Sequence, residues 1–381
     1  MNAKQLRQFI IKNKKDCALL IGNGINRYAN SGCSWEILLK ALASTYCPKL
    51  CFDNLPKTIS NTEFFDLLEI SIMQNTSVFD KEKFKTQNIP LVVSKETLEQ
   101  INKEITELAK RPAFSLKQLD YQQLDKFKGF STPDFQSKME MTMTISSLGD
   151  KLSVALRSRL IAAICSYMKK WNFASVHKCV ALFAQKYKLP ILTTNYDNLF
   201  AKSVDAGMFD YGKNFSSESF PISCCFTNSK CPNSDEFGIW HINGMIQYPK
   251  SILIGLSHYM RSIEKVRSLI FPSNDYDAEL FEGNHWGFVT LKDTWINLIF
   301  SRHLIILGLT LDKDEVLLRW LLLERAKYFA LFPYNSKRSF YIVPESEDVD
   351  TGKELFLNNA GFEIVRVPDY DTVYKIVSNE V

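Results

Sequence analysis

The sequence predicts an α/β fold: a mostly parallel sheet with helices on both faces, plus an α-helical insertion. Three observations predict it. Short apolar runs alternate with stretches of helical periodicity. Those runs are apolar throughout, as strands covered on both faces are. The first of them, CALLI (17–21), passes at once into Gly22-Asn23-Gly24 and then into a helical stretch, a strand, glycine turn and helix unit. Residues 1–49 read as the first part of this domain, 50–170 as the insertion, and 171–381 as the remainder.

Taken in order, residues 1–15 suit an amphipathic helix, with Leu6, Phe9 and Ile10 opposite Lys4, Lys12 and Lys15. After the glycine turn comes SWEILLKALASTY (34–46), where Ser34 can cap, Glu36 sits in the first turn, and Ile37, Leu38, Ala41 and Leu42 recur at helical spacing. The block at 50–170 holds TEFFDLLEISIM, KETLEQINKEITELAK and SSLGDKLSVALRSRLIAAICSYMKKW, all with helical periodicity, around a polar region at roughly 111–138. Strands then resume at LPILTTNYDNLF (189–200), within EFGIWHINGMI (236–246), at SILIGL (251–256) and at HLIILGLTL (303–311). A helix follows at 316–329, then strands at 339–345 and 362–368, with the helix-like TGKELFLNNAG between them.

Composition sets limits. The chain has 381 residues, too many for a minimal core, with 46% hydrophobic and 23% charged residues, ordinary values for a folded protein. Net charge is +4, too weak a bias to imply nucleic-acid binding. The N-terminal stretch lacks the apolar run of a signal peptide, and the most apolar segment, Leu304 to Leu311, is far short of a membrane span. A cytoplasmic protein with no membrane partner is expected. The nine cysteines are scattered, with no C-x-x-C pair, which argues for reduced thiols and no metal.

Four motifs sit where strands end. Gly22, Asn23, Gly24, Ile25 and Asn26 form a turn of the kind that lets backbone approach a pyrophosphate, although a tight turn without ligand reads equally well. The dehydrogenase fingerprint fails at Arg27, and no acid follows at the spacing that holds a ribose hydroxyl. Thr193 to Asp197 places Thr194, Asn195 and Asp197 at a strand end, where open α/β sheets bind ligands; an Asn/Asp turn is the alternative. In Trp240 to Gly244, His241 offers a general base or a hydrogen-bonded structural histidine. Gly308 and Thr310 close an apolar strand, where a small residue and a hydroxyl suit a ribose or phosphate; Asp312 and Asp314 equally suit a helix cap.

Taken together, these four motifs resemble the sirtuin family, and more closely the bacterial sirtuin-like NAD hydrolases of antiphage defence. The Gly-x-Gly loop is followed by Trp35, the T-x-N-x-D element is Thr193 to Asp197, the His-Gly element is approached at Asn243-Gly244, and the late Gly-x-Ser/Thr is Gly308 and Thr310. The order agrees. The resemblance implies a Rossmann-like sheet, NAD as substrate, and Gly22 to Asn26, Thr194, Asn195, Asp197, Gly308 and Thr310 as residues that bind it. It gives Asn195 the stabilisation of the reacting ribose and Asp197 the organisation of the pocket.

Two departures stand out. No cysteine follows Cys231, so the zinc ribbon of deacetylating sirtuins is missing, which favours NAD hydrolysis over deacylation. The family's histidine directly precedes glycine, and here that residue is Asn243, with His241 two positions earlier. On one strand the two would share a face. The catalytic set is therefore Asn195, Asn243 and His241, and a non-catalytic nucleotide-binding subunit is the competing expectation. Because constant NAD loss would harm its host, the resemblance implies gating by self-assembly or by a protein partner that senses infection. The helical insertion and its mixed-charge face at 95–110 are the candidate contact surfaces, a simply solvated face being the alternative for 95–110.

Overall fold

A computed structural model describes residues 1–47, 50, 59–75, 157–158, 160–212, 218–230, 233, 236–271 and 291–378. The chain divides into two compact units. One comprises Met1–Leu38, Pro56–Glu63 and Tyr167–Val381, and the other Leu39–Leu55 and Phe64–Ser166.

The larger unit is built on an eight-stranded sheet. Its strands are β1 (Cys17–Ile21), β2 (Ile191–Thr193), β3 (Gly207–Asp210), β4 (Cys224–Thr227), β5 (Ile239–His241), β6 (His303–Leu307), β7 (Ser339–Pro344) and β8 (Phe362–Val367). Their order is β3-β4-β5-β2-β1-β6-β7-β8. The six strands from β5 to β8 are parallel, and β3 and β4 add an antiparallel edge. This is a Rossmann-like α/β sheet. The chain runs outward from β1 through β2 and β5, then returns to the other side of β1 to lay down β6. The order thus reverses between β1 and β6, and crevices at such reversals, outside the carboxyl ends of the strands, are where open sheets hold ligands.

The continuous apolar runs have a simple cause. In β1, Ala18 and Leu20 join one core, with Leu192, Trp240, Leu304 and Ile306. Cys17, Leu19 and Ile21 join the other, with Ile191, Ile239, Ile305 and Leu307. Both faces are covered, so β1 is apolar throughout and β2, β5 and β6 carry a polar residue only at one end. Helices α1 (Ala3–Lys12), through Leu6 and Ile10, and α5 (Ser175–Tyr187), through Val180 and Phe183, bury one face. Helices α7 (Leu256–Ile270), α8 (Trp295–Ser301) and α9 (Val316–Leu331) bury the other. Helix α1 starts at a capping box in which the Asn2 side chain accepts from Gln5 N at 2.9 Å and the Gln5 side chain accepts from Asn2 N at 3.0 Å.

In the second unit, α3 (Trp35–Tyr46) and α4 (Asn61–Asn75) contribute their C-terminal parts, and residues 160–168 are helical across its border. Leu39, Leu42, Phe65, Leu68 and Ile164 are buried there, and Arg157 Nε donates to both Glu69 carboxylate oxygens, at 3.1 and 3.0 Å. Most of the expected helical insertion, including the charged face at 95–110 and the polar stretch at 111–138, lies outside the described residues.

Three local expectations change. SILIGL (251–256) is not a strand: Ser251 ends a short 3-10 turn, Ile252–Ile254 are buried without a ladder, and α7 begins at Leu256. An apolar run alone cannot distinguish a strand from a buried connection. The strand expected at 303–311 stops at Leu307, because Gly308 turns the chain at φ +61°. The β3–β4 pair and α5 had no counterpart in the sequence reading. Among the described residues, no helix is long and apolar enough to cross a membrane.

Candidate functional site

The turns after β1 and β6 pack directly on each other. Gly24 N donates to Gly308 O at 2.7 Å and Gly22 N to Leu307 O at 3.3 Å. A Cβ on Gly24 would lie 2.6 Å from Gly308 Cα, and one on Gly22 would lie 2.6 Å from Gly308 O. These glycines are thus required by turn-on-turn packing, and their two amides are already bonded rather than open to a phosphate. Helix α2 (Gly24–Ala29) starts at this contact, so the β1 turn is held rigidly against β6.

Behind the turn lies a closed polar network. Asn23 Nδ2 donates to Cys33 O at 2.9 Å, and its Oδ1 accepts from Asn26 Nδ2 at 2.8 Å. Asn26 Nδ2 also donates to Asp197 Oδ2 at 2.7 Å, and Asp197 Oδ1 accepts from Leu199 N at 3.0 Å. On the far side, Asn26 Oδ1 meets His177 Nε2 at 2.9 Å. Since Ala174 N donates to His177 Nδ1 at 3.0 Å, the ring proton sits on Nε2 and points at Asn26. Burial pushes His177 down to about 4, so it is neutral. Burial raises the Asp197 carboxyl above its ordinary range, opposed by the hydrogen bonds from Leu199 N and Asn26. Asn26 and Asp197 are 1% and 4% exposed, so both act by shaping the turns rather than by facing solvent. Nothing in the sequence flagged His177, which lies on α5, far along the chain.

At the end of β2, Thr193 Oγ1 donates to Ile21 O at 2.8 Å and accepts from Asn195 N at 3.1 Å. That clamp turns the chain sharply after the strand. Asn195 Nδ2 reaches Gly22 O at 3.4 Å, joining the T-x-N-x-D element to the glycine turn. Tyr196 packs edge-on against Trp35, with ring centroids 5.1 Å apart, and its hydroxyl donates to Leu253 O.

At the end of β5, His241 and Asn243 part company. The strand stops at His241, so the two do not alternate along one strand face. His241 Nδ1 donates to Asn195 O at 2.7 Å and its ring stands edge-on to Phe226 at 5.7 Å. It is 1% exposed, and burial pushes it down to about 4, so the ring is neutral and braces the Asn195 turn. Asn243 lies in the following turn, where Gly244 takes φ +91°; a Cβ on Gly244 would lie 2.1 Å from Ser251 O. Only glycine fits there. Asn243 is 3% exposed, and its Nδ2 points at Glu315 Oε2, 3.5 Å away.

Glu315, at the start of α9, did not figure among the sequence-derived candidates. Burial pushes its carboxyl up to about 7; hydrogen bonds from Asn243 and Thr194 pull it down, while Asp314 and Asp312 push it further up. In sequence it reads as an ordinary helix-start acid, beside Asp312 and Asp314. Thr310 is exposed and its carbonyl accepts from Tyr341 Oη at 3.4 Å, on the β7 side of the turn. The turns at the β1/β6 reversal thus carry Gly22, Gly24 and Gly308, with Thr194, Asn195, Asn243 and Glu315 at the neighbouring strand ends.

Residues 190–365 match the family of the SIR2-like domain. The match supports a sirtuin-like family and implies involvement of NAD. It runs from the start of β2 into β8, and so includes Thr194, Asn195, Asn243, Gly308 and Glu315, while the β1 glycine turn precedes it. No curated protein matches the chain. Among the described residues, no group of His, Cys, Asp and Glu is arranged to hold a metal ion.

Proposed function

We propose that this SIR2-like domain binds NAD in the crevice at the β1/β6 reversal and hydrolyses it to nicotinamide and ADP-ribose. One observation carries the reading: the turns after β1, β2 and β6 are tied into a single polar edge, Gly24 to Gly308 at 2.7 Å and Asn195 to Gly22 at 3.4 Å. The side chains there suit a dinucleotide. Asn243 Oδ1 is buried without a hydrogen-bond partner, an acceptor suited to a ribose hydroxyl.

Nicotinamide departs as a neutral pyridine, so the site's task is to stabilise positive charge growing on the ribose and to deliver water. Asn195, held by Gly22, His241 and Thr193, presents a fixed dipole to that carbon. Asp197 and Asn26 hold the turn without touching the substrate. Gly308, packed against Gly24 and Tyr374, fixes the β6 turn, and Thr310 serves the outer part of the nucleotide.

Incubation with NAD, with and without candidate activators, and quantification of free nicotinamide tests the reading. Nicotinamide is expected from the native chain, and Asn195→Ala should abolish its release. Failure to bind NAD in calorimetry would remove the proposal. A second reading, a non-catalytic NAD-binding subunit, is favoured by Asn243 at the family's histidine position. Tight NAD binding without nicotinamide under every condition would select it. In the hydrolase reading the chain is an effector of antiphage defence, gated by assembly or by a protein partner. Size exclusion with light scattering tests that: a strict monomer with constant activity would rule out gating.

A further inference from the structure

We propose that Glu315 is the general base of this site, taking the proton from the water that attacks the ribose; the assignment rests on the hydrolase reading above. An amide cannot accept a proton in the way a histidine does, so Asn243 leaves that role vacant. His241 does not fill it. Its Nδ1 donates to the Asn195 carbonyl and its ring is packed on Phe226; its buried Nε2 has no hydrogen-bond partner, but burial holds the ring near 4, a weaker base than Glu315. Glu315 stands where the missing base is needed. Its Oε2 lies 3.5 Å from Asn243 Nδ2, at the turn after β5, and the Thr194 hydroxyl just after β2 favours its charged form.

The neighbouring acids are otherwise engaged. Asp312 pairs with Lys353 Nζ at 3.0 Å, and Asp314 Oδ2 accepts from Asn61 Nδ2 at 2.8 Å. Glu315 alone of the three is tied to residues at the ends of β2 and β5. The unpartnered, buried Asn243 Oδ1 beside it is an independent mark of a missing ligand.

In the proposed step, a water oxygen attacks the ribose carbon that carries nicotinamide. Glu315 takes one proton from that water. The carbon–nitrogen bond breaks and its electron pair stays on the ring nitrogen, which leaves neutral. ADP-ribose forms, and Glu315 returns its proton to solvent. The charged and titratable groups around the carboxylate are Asp312 and Asp314 from its own loop, and Tyr196 and Tyr259 from the β2 turn and α7. Burial above all, with Asp314 and Asp312 adding to it, favours a carboxyl that titrates close to neutrality, the range in which a base works best; the two tyrosines are neutral there.

The test compares native chain, Glu315→Gln and Glu315→Ala by nicotinamide release from pH 5 to 9, with NAD affinity measured by calorimetry. Glu315→Gln should lower release about 10²–10⁴-fold and leave NAD affinity within a few-fold. Release by the native chain should rise through a pH of about 7, and that limb should vanish in the variant. Azide, an anionic nucleophile that needs no base, should restore nicotinamide release to Glu315→Ala, a rescue that a purely structural residue would not show. Native activity with Glu315→Gln within tenfold of it, or with no azide rescue, overturns the base and leaves the hydrolase reading intact. A native chain that binds NAD yet never releases nicotinamide overturns both.

Discussion

Replacing Asn26 by alanine removes the centre of the buried network. Three hydrogen bonds go: to Asp197 Oδ2 at 2.7 Å, to Asn23 Oδ1 at 2.8 Å, and from His177 Nε2 at 2.9 Å. A bond to a charged group is worth roughly 1.5–3 kcal/mol, and a buried donor left without a partner, here His177, costs roughly 1–3 kcal/mol. The expected loss is therefore about 3–5 kcal/mol, a large share of a typical domain's stability. The loss should also depend on pH. The Asp197 carboxyl already titrates above its ordinary value, so its contribution is full below the unfolded value and falls as pH rises through the folded one. Asn26 opposes that rise, so removing it lifts the folded value further and makes the deficit larger at pH 8 than at pH 5. Urea unfolding of native protein and Asn26→Ala at both pH values measures this. A loss under about 1 kcal/mol, or one that shrinks as pH rises, would refute the role assigned to Asn26.

Three further outcomes follow from the same geometry. Gly24→Ala puts a methyl 2.6 Å from Gly308 Cα and should cost roughly 1–3 kcal/mol, the range for overpacking, read as a lower melting temperature; an unchanged one would mean that the two turns can separate freely. His241, held near 4 by burial against 6.5 in the unfolded chain, contributes stability that is full above 6.5 and lost as pH falls toward 4. The native chain should lose on the order of 3 kcal/mol relative to His241→Gln between pH 7 and 4, and parallel urea midpoints would contradict it. Asn243→His should raise nicotinamide release, because the new imidazole stands beside Glu315; silence there, with loss of activity in His241→Ala, would move the base to His241.

Much of the architecture was readable from local pattern. Strands β1, β6, β7 and β8 and helices α1, α3 and α9 announced themselves by unbroken apolar runs and helical spacing. Both signals arise from burial on defined faces. The short antiparallel strands β3 and β4 did not, since four residues such as GMFD, with Gly207, Met208 and Asp210 exposed, carry no period to recognise. Of the proposed site, Gly22, Gly24, Asn195, Asn243 and Gly308 were singled out in the sequence by motifs at strand ends and by the family resemblance those motifs carry. What those residues do was not visible: two glycines serve packing between turns, and Asn26 and Asp197 are sealed inside.

The order of apolar runs and glycine turns by itself determined that this chain makes a parallel sheet with polar turns at its strand ends. Only the tertiary structure decided which turns meet, that His177 closes a network with residues 151 positions away, and that Glu315 reaches Asn243 across 72. The physical reason is that periodicity reports burial, which is local to each element. Proximity and proton affinity depend on groups that the sheet brings together from distant parts of the chain.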